Sequence, residues 1–173
     1  MKTAALAFVL LFAAGATGAE DRGPVPVISA AAPPSAMEQA PHLPDGPLQL
    51  LGQTPGEVHF MALSDLTRRD GIVEATVLTV ADPAQPRAGK AAALIVSRQA
   101  IWCGQRRSAT YYAWYATDGV LLDAARAFDP VPLKAGSVPA LLAARVCDNA
   151  PAGETVDGRV AAVALAHAKL KTP

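Results

Sequence analysis

The clearest pattern of apolar and polar positions lies in the middle of the chain. Residues 72–80 place apolar side chains around Glu74 and Thr76, which is typical of a strand with one wetter face. Residues 91–123 contain one of the two cysteines, both tryptophans and all three tyrosines, among many β-branched residues. Because these residue types favour strands, we predict that residues 91–123 form the central strands of an antiparallel sheet.

Turn signals separate these segments. Asp70-Gly71 and Asp118-Gly119 are typical of two-residue hairpins, and Gly104-Gln105 offers another tight reversal. Residues 58–64 predict a first strand, while residues 81–90, with two prolines and a glycine, predict a loop. Successive hairpins predict an antiparallel meander of about five to six strands. With one or two covering helices, the expected fold class is α+β.

Two helices are expected after the sheet. Ser137 is a candidate N-cap with Pro139 in the first turn, and the apolar residues up to Val146 follow helical spacing. Thr155 or Asp157 is a candidate cap for a C-terminal helix that runs to about residue 171. The apolar face predicted for this last helix contains Val156, Val160, Val163, Ala164, His167 and Leu170.

The beginning of the chain differs from the rest. Residues 1–19 have the pattern of a secretory signal peptide: Lys2, an apolar stretch, and small residues at the end. Residues 20–56 hold eight of the fifteen prolines and predict a disordered linker. We therefore expect a disulfide-pinned α+β domain at 57–149 and a C-terminal helix within 150–173, with no transmembrane segment once the signal is removed.

The overall charge narrows the range of partners. Fifteen basic residues balance fifteen acidic residues, so the chain has no electrostatic signature of binding to nucleic acid or to anionic membranes. Apolar residues make up 51% of the chain but aromatic residues only 5%. The share of large side chains available for a core is therefore smaller than the apolar content of 51% suggests. If there is a partner, we expect an extracellular or envelope protein.

The two cysteines fit an exported chain. Two cysteines in an oxidising compartment predict one disulfide, between Cys103 and Cys147, which would join the end of the first helix to the sheet. The competing interpretation is a reactive or metal-binding pair. It is disfavoured because the cysteines have no Cys-x-x-Cys spacing and no histidine near either of them.

The sequence shows no catalytic motif. His42, His59 and His167 lie in three separate segments without zinc-site spacing, and no nucleophile-elbow, metalloprotease, phosphate-binding or EF-hand motif is present. We therefore predict no catalytic residues, no metal ligands and no cofactor. A hydrolase whose site is assembled only by the fold is the least favoured alternative.

Four residues are candidates for a binding surface. Arg106 and Arg107 could form a cationic ridge, and Tyr112 and Trp114 belong to a strand with aromatic residues on both faces. Tyr, Trp and Arg are enriched at binding hot spots. The competing interpretation is that the aromatic rings are buried on both faces, with arginine stems packed along them.

Three short motifs carry a family resemblance. They are Cys103-x-x-Arg106-Arg107, Tyr115-x-x-Asp118-Gly119, and Gly136-Ser137 before a helix that ends at Cys147. Over residues 57–148 the chain resembles the surface-adhesin protein E-like domain of bacterial envelope proteins. The resemblance implies a small antiparallel sheet packed by a helix, and a family whose named member is a surface lipoprotein that binds host matrix and serum proteins and has been linked to haem.

This chain departs from that family in two ways. It lacks the cysteine that carries the lipid anchor, and it has a long proline-rich segment before the domain. None of the family's ligand-binding residues maps onto it. The leading hypothesis is an exported, non-enzymatic, adhesin-like binding module in the periplasm or at the cell surface, or secreted. The alternative is a structural or housekeeping periplasmic protein.

Overall fold

A computed structural model describes residues 39–171. The predicted signal peptide and residues 20–38 of the predicted linker lie outside the described residues. In chain order the elements are β1 (Pro47–Thr54), β2 (Glu57–Ala62), β3 (Thr67–Arg69), β4 (Ile72–Arg87), β5 (Lys90–Trp102), β6 (Arg107–Tyr115), β7 (Leu121–Pro132), α1 (Val138–Val146), β8 (Thr155–Asp157) and α2 (Gly158–Leu170).

The described strands form one antiparallel sheet. Its order is β7-β6-β5-β4-β2-β1-β8, and the short strand β3 pairs with β4 beyond the end of β2. From β3 to β7, strands that follow one another in the chain are also neighbours in the sheet, because the turns between them are short. The predicted fold class, an antiparallel meander with two helices, is confirmed.

The two helices pack on opposite faces of the sheet. Phe60, Leu78 and Val96 lie in one cross-strand row and belong to the core cluster that includes alanines of α2. Met61 and Val77 lie in the adjacent row and belong to the cluster that includes α1. Because successive residues of a strand point to opposite faces, α2 covers one face and α1 the other.

The inward face of α2 differs from the prediction. Ala162 and Ala166 are fully buried, whereas Val160 is 82% exposed and His167 is also exposed. Alanines four residues apart give a flat, narrow stripe that lets the helix lie close to the sheet. The helix therefore faces the core with its small residues, and the predicted apolar face was wrong at Val160, Ala164 and His167.

The folded domain begins before Glu57. We expected residues 20–56 to be a linker, but Pro47–Thr54 forms β1, which pairs with β2 and contributes the buried side chain of Leu48. The prolines flank this strand rather than interrupt it: Pro47 is its first residue and Pro55 lies in the turn that follows. A proline at the first position of a strand is compatible with pairing.

Strand β4 continues through the predicted loop at residues 81–90. Its pairing with β5 is interrupted between Val80 and Gln85, where Pro83 lies, and then resumes with Gln85 opposite Ala92. An irregularity of this kind accommodates proline because the ladder is already interrupted there. The hairpin turns only at Ala88 and Gly89, both of which have positive φ.

The predicted disulfide is confirmed. Cys103 and Cys147 are bonded, with an S–S distance of 2.01 Å and a Cα–Cα distance of 5.5 Å. Cys147 is the C-cap of α1, and Ser137 occupies the predicted N-cap position. A disulfide like this is typical of proteins that fold outside the reducing cytosol. No helix within residues 39–171 is long and apolar enough to cross a membrane.

Candidate functional site

Four arginines lie at one end of the sheet, which we call the arginine end: Arg68, Arg69, Arg106 and Arg107. The strand register places Arg69, Ile72, Trp102 and Arg107 in one cross-strand row. Arg69 and Arg107 are thus three strand spacings apart, or about 14 Å. Arg68 and Arg106 are their neighbours in the chain. The fold therefore joins the predicted pair to two further arginines.

Arg106 and Arg107 each contact a segment that follows β6. Arg106 donates from Nη1 to both carboxylate oxygens of Asp148, at 2.8 and 2.9 Å. Arg107 donates from Nε and Nη2 to the carbonyl oxygen of Pro130, with an Nε distance of 3.0 Å. Both side chains are exposed. These contacts fix the guanidinium groups in place and leave the remaining N–H groups without a partner among the described residues.

An open cavity of about 390 Å³ lies beside Arg68 and Arg69. Its walls come from the β3–β4 hairpin and the end of α1, and they include Arg68, Arg69, Ile72, Val73, Val146 and the disulfide. Arg68 donates from Nη2 to the carbonyl oxygen of Val146 at 2.7 Å, while Arg69 pairs through Nε with the exposed Asp70. The cavity thus has an apolar floor and a cationic rim.

The charges around this end are unequal. It carries five cationic side chains and three carboxylates: Arg68, Arg69, Arg106, Arg107 and Lys134 on one side, and Asp70, Asp129 and Asp148 on the other. Leu133 donates its backbone N–H to the Arg106 carbonyl, which brings Lys134 into the group. In a chain without net charge, this surplus gives the arginine end a local attraction for acidic groups.

The aromatic residues of the predicted binding set lie elsewhere. The rings of Tyr112 and Trp114 stack with centroids 5.7 Å apart and an interplanar angle of 30°. Trp114 is only 8% exposed, and the guanidinium of Arg87 lies 4.3 Å from its ring centroid. The ring of Trp114 therefore belongs to the core, and Tyr112 is half-buried beside it.

Sequence spacing along β6 explains this division. Arg107 differs from Tyr112 and Trp114 by an odd number of positions, so its side chain lies on the other face of the strand. It also lies at the opposite end of β6. The structure thus splits the four predicted residues into two locations. An arginine does pack on the buried ring of Trp114, as the competing interpretation expected, but it is Arg87 from the β4–β5 hairpin.

A buried histidine in β2, opposite the middle of β4, forms a second polar cluster. His59 is fully buried, with Nδ1 at 2.9 Å from Thr79 Oγ1 and Nε2 at 2.9 Å from Thr54 Oγ1. Burial lowers the pKa of His59 from 6.5 to about 4, so the ring is neutral near pH 7. Gln85 donates to the neighbouring Glu57 at 3.0 Å. The sequence signal was the placement of His59 between Val58 and Phe60 in a strand.

A chain of hydrogen bonds also crosses the middle of the sheet. Gln99 donates to Ser97 Oγ at 2.9 Å and accepts from Thr110 Oγ1 at 2.8 Å, and all three residues are buried. Because these buried amide and hydroxyl groups are hydrogen-bonded to one another, they avoid the free-energy cost of burying a polar group without a partner. Within the part of the chain that the structure describes, no group of three or more His, Cys, Asp or Glu residues is placed to hold a metal ion.

Comparison of the chain with protein-family models, with curated proteins and with solved structures finds no match. The resemblance to the surface-adhesin protein E-like domain therefore depends on the short motifs alone. The arginine end and its cavity are the features of the described residues that a functional proposal has to explain.

Proposed function

We propose that this protein is an exported, non-enzymatic binding module that holds an acidic partner of the cell envelope at its arginine end. The observation that carries the proposal is the gathering of Arg68, Arg69, Arg106 and Arg107 at one end of the sheet. Arg68 and Arg69 also line the open cavity. Guanidinium groups present several N–H donors in a fixed plane and are well suited to pairing with carboxylates.

The disulfide supports the cellular setting. Cys103 and Cys147 account for both cysteines of the chain, and their bond joins the sheet to α1. A bond of this kind persists where glutathione and thioredoxin do not reduce it. Together with the signal-peptide pattern at residues 1–19, it favours a mature chain that works in the periplasm or at the cell surface.

Chromatography on an immobilised acidic polymer tests the binding role. The mature chain, residues 20–173, is applied to immobilised poly-L-glutamate and eluted with a salt gradient. We expect retention at low salt and earlier elution of the double variant R106E/R107E, because reversing two charges removes the local attraction. Poly-L-lysine should not retain the wild-type chain.

The matched control is the double variant K90E/K171E. Lys90 lies in the hairpin at the far end of the sheet and Lys171 follows α2, and both are exposed. This variant has the same net charge as R106E/R107E, so the two would elute together if retention depended on net charge alone. Identical elution of the two variants would overturn the proposal.

Protease treatment of intact cells tests the location. A surface protein should be degraded by added proteinase K, and a periplasmic one only after osmotic shock. Blocking of free thiols before denaturation should leave Cys103 and Cys147 unmodified in either case. If the chain is found in the cytosol with free thiols, the exported role is wrong.

A structural or housekeeping role in the periplasm is the second candidate. It is favoured by the intramolecular contacts of Arg106 with Asp148 and of Arg107 with Pro130, which join three segments at this end of the domain. On this alternative R106E/R107E should lower Tm and leave elution from poly-L-glutamate equal to that of the control variant.

A further inference from the structure

We propose that the cavity between the β3–β4 hairpin and the end of α1 binds an extended acidic peptide that inserts one apolar side chain next to a carboxylate. This inference depends on the proposed binding function and names the chemistry of the partner.

The rim supplies donors for a carboxylate. Arg68 is fixed by its bond to the Val146 carbonyl through Nη2, which leaves its other N–H groups without a partner among the described residues. Arg69 pairs through Nε with Asp70, and this pair is almost fully exposed, so it competes weakly with an incoming carboxylate. Two guanidinium groups with open donors therefore flank the entrance.

The floor is suited to an apolar side chain. Ile72, Val73, Val146 and the Cys103–Cys147 disulfide contribute to it. A cavity of about 390 Å³ exceeds the volume of any single side chain. An apolar residue entering it gains from the removal of apolar surface from water, at about 25 cal/mol per Å². A purely anionic ligand, such as a free phosphate, would leave this floor uncovered.

The edge of β3 offers the backbone contacts that an extended peptide needs. Among the described strands β3 pairs only with β4, and all three of its residues are exposed. An unpaired strand edge accepts a further strand through main-chain hydrogen bonds, while pockets select alternate side chains. In an added strand the anchor residue and a carboxylate two positions away would point to the same side, where Arg68 also lies.

Charge favours a peptide over a membrane surface. The arginines of this end are interspersed with Asp70 and Asp148, which pair with Arg69 and Arg106. Attraction to anionic lipid increases with the number of unopposed basic residues. The separate carboxylates of a peptide can instead each bond to one guanidinium group. Such pairing is compatible with the protein's own carboxylates, Asp70 and Asp148, between the arginines.

Peptide titrations test the inference. Fluorescein-labelled Asp-Thr-Leu-Thr-Asp is titrated with the mature chain and followed by anisotropy, alongside peptides with Lys in place of Asp and with Gly in place of Leu. We expect the acidic Leu peptide to bind at least tenfold more tightly than either. R68Q should weaken it about tenfold, since one charge-assisted hydrogen bond is lost.

R69Q tests the rim of the cavity separately, because R68Q also removes the hydrogen bond from Arg68 to the Val146 carbonyl of α1. Arg69 has no bond to α1, so R69Q should keep the wild-type Tm and still bind the acidic peptide several-fold more weakly. The matched control is K90Q, which removes one charge at the far end and should bind like the wild type. Equal affinity for the Asp and Lys peptides, or an affinity that neither R68Q nor R69Q reduces, would overturn the inference.

The two proposals fail separately. If R106E/R107E changes elution from poly-L-glutamate while the acidic Leu peptide does not bind, only the cavity inference is wrong. If neither polymer nor peptide binds, both are wrong. Binding to vesicles that contain 30% phosphatidylglycerol, without binding to the peptide, would also overturn the inference and assign the arginine end to a lipid surface.

Discussion

The guanidinium carbon of Arg87 lies 4.3 Å from the centroid of the Trp114 ring. This contact joins the last residue of β4 to the C-terminal end of β6, across the whole width of β5. The ring is 8% exposed and packs with Ala81, Ala92 and Ile95. Trp114 therefore contributes to the stability of the core rather than to an exposed binding surface.

We predict that W114A lowers the free energy of unfolding by about 3–5 kcal/mol, the range found for buried tryptophan. R87A should cost about 0.5–2 kcal/mol, since it removes a partly desolvated cation–π contact. Urea denaturation followed by circular dichroism measures both. Y112F serves as the control, because it keeps the stacked ring. An unchanged midpoint for W114A would show that the ring does not support the core.

The disulfide should contribute measurably to stability. Cys103 and Cys147 are 44 positions apart, and a loop of that length corresponds to about 4 kcal/mol in the chain-entropy model. We expect C103S/C147S to have a free energy of unfolding lower by about 4 kcal/mol in urea denaturation, while the far-ultraviolet spectrum stays that of the wild type. Wild-type protein treated with a reductant is the matched comparison. A variant as stable as the oxidised chain would contradict the prediction.

Stability should fall in mild acid because of His59. Burial lowers the pKa of His59 from 6.5 to about 4, so the unfolded chain takes up a proton before the folded chain does. The stabilisation is complete above about pH 6.5 and is lost as the pH falls towards 4. At about 1.4 kcal/mol per pKa unit, the loss attributable to this residue reaches about 3 kcal/mol.

Urea unfolding of wild type and H59Q between pH 7.5 and 4 measures this effect. H59Q loses stability at all pH values, because it alters the contacts with Thr54 and Thr79, but the steep part of its pH dependence should be absent. Parallel curves for the two proteins would show that other groups cause the acid sensitivity.

Two positions of α2 test the inward face of that helix. Val160 is 82% exposed, so V160K should change the free energy of unfolding by no more than about 0.5 kcal/mol. Ala162 is fully buried against the sheet, so A162L should cost about 1–3 kcal/mol through overpacking. If V160K lowers Tm more than A162L does, the apolar face predicted from the sequence is the one that packs on the sheet.

The strands and turns of the meander were predictable because their signals are local. Asp70 and Gly71 both have positive φ, as the two-residue hairpin between β3 and β4 requires, and Gly119 has positive φ in the turn before β7. Ser137 and Pro139 marked the start of α1 for the same reason. In each case the conformational preference lies within two or three neighbouring residues.

The candidate site was only half predictable. Arg106 and Arg107 stood out because two consecutive arginines can form a cationic ridge. Arg68 and Arg69 join them only because β4 pairs with both β3 and β5. That proximity depends on strand register over more than 30 residues, which no local pattern encodes. Likewise, the contact between Arg87 and the Trp114 ring brings in a residue from a segment expected to be a loop.

The failure at β1 has a different physical cause. Prolines are frequent up to residue 56, and averaged over that stretch they indicate disorder. Pairing, however, depends on position: the six residues between Pro47 and Thr54 contain no proline, and they align with β2. Because composition was averaged over 37 residues, it did not reveal a strand of eight residues within them.

The bond between Cys103 and Cys147 makes a covalent ring of the segment that contains β6, β7 and α1. Lys134 lies exposed on that ring, in the connection between β7 and α1. A trypsin-like cut there opens the backbone without releasing either piece, since the sulfurs still tie the halves together. In an environment rich in proteases, a nicked molecule stays a single covalent unit until it meets a reductant.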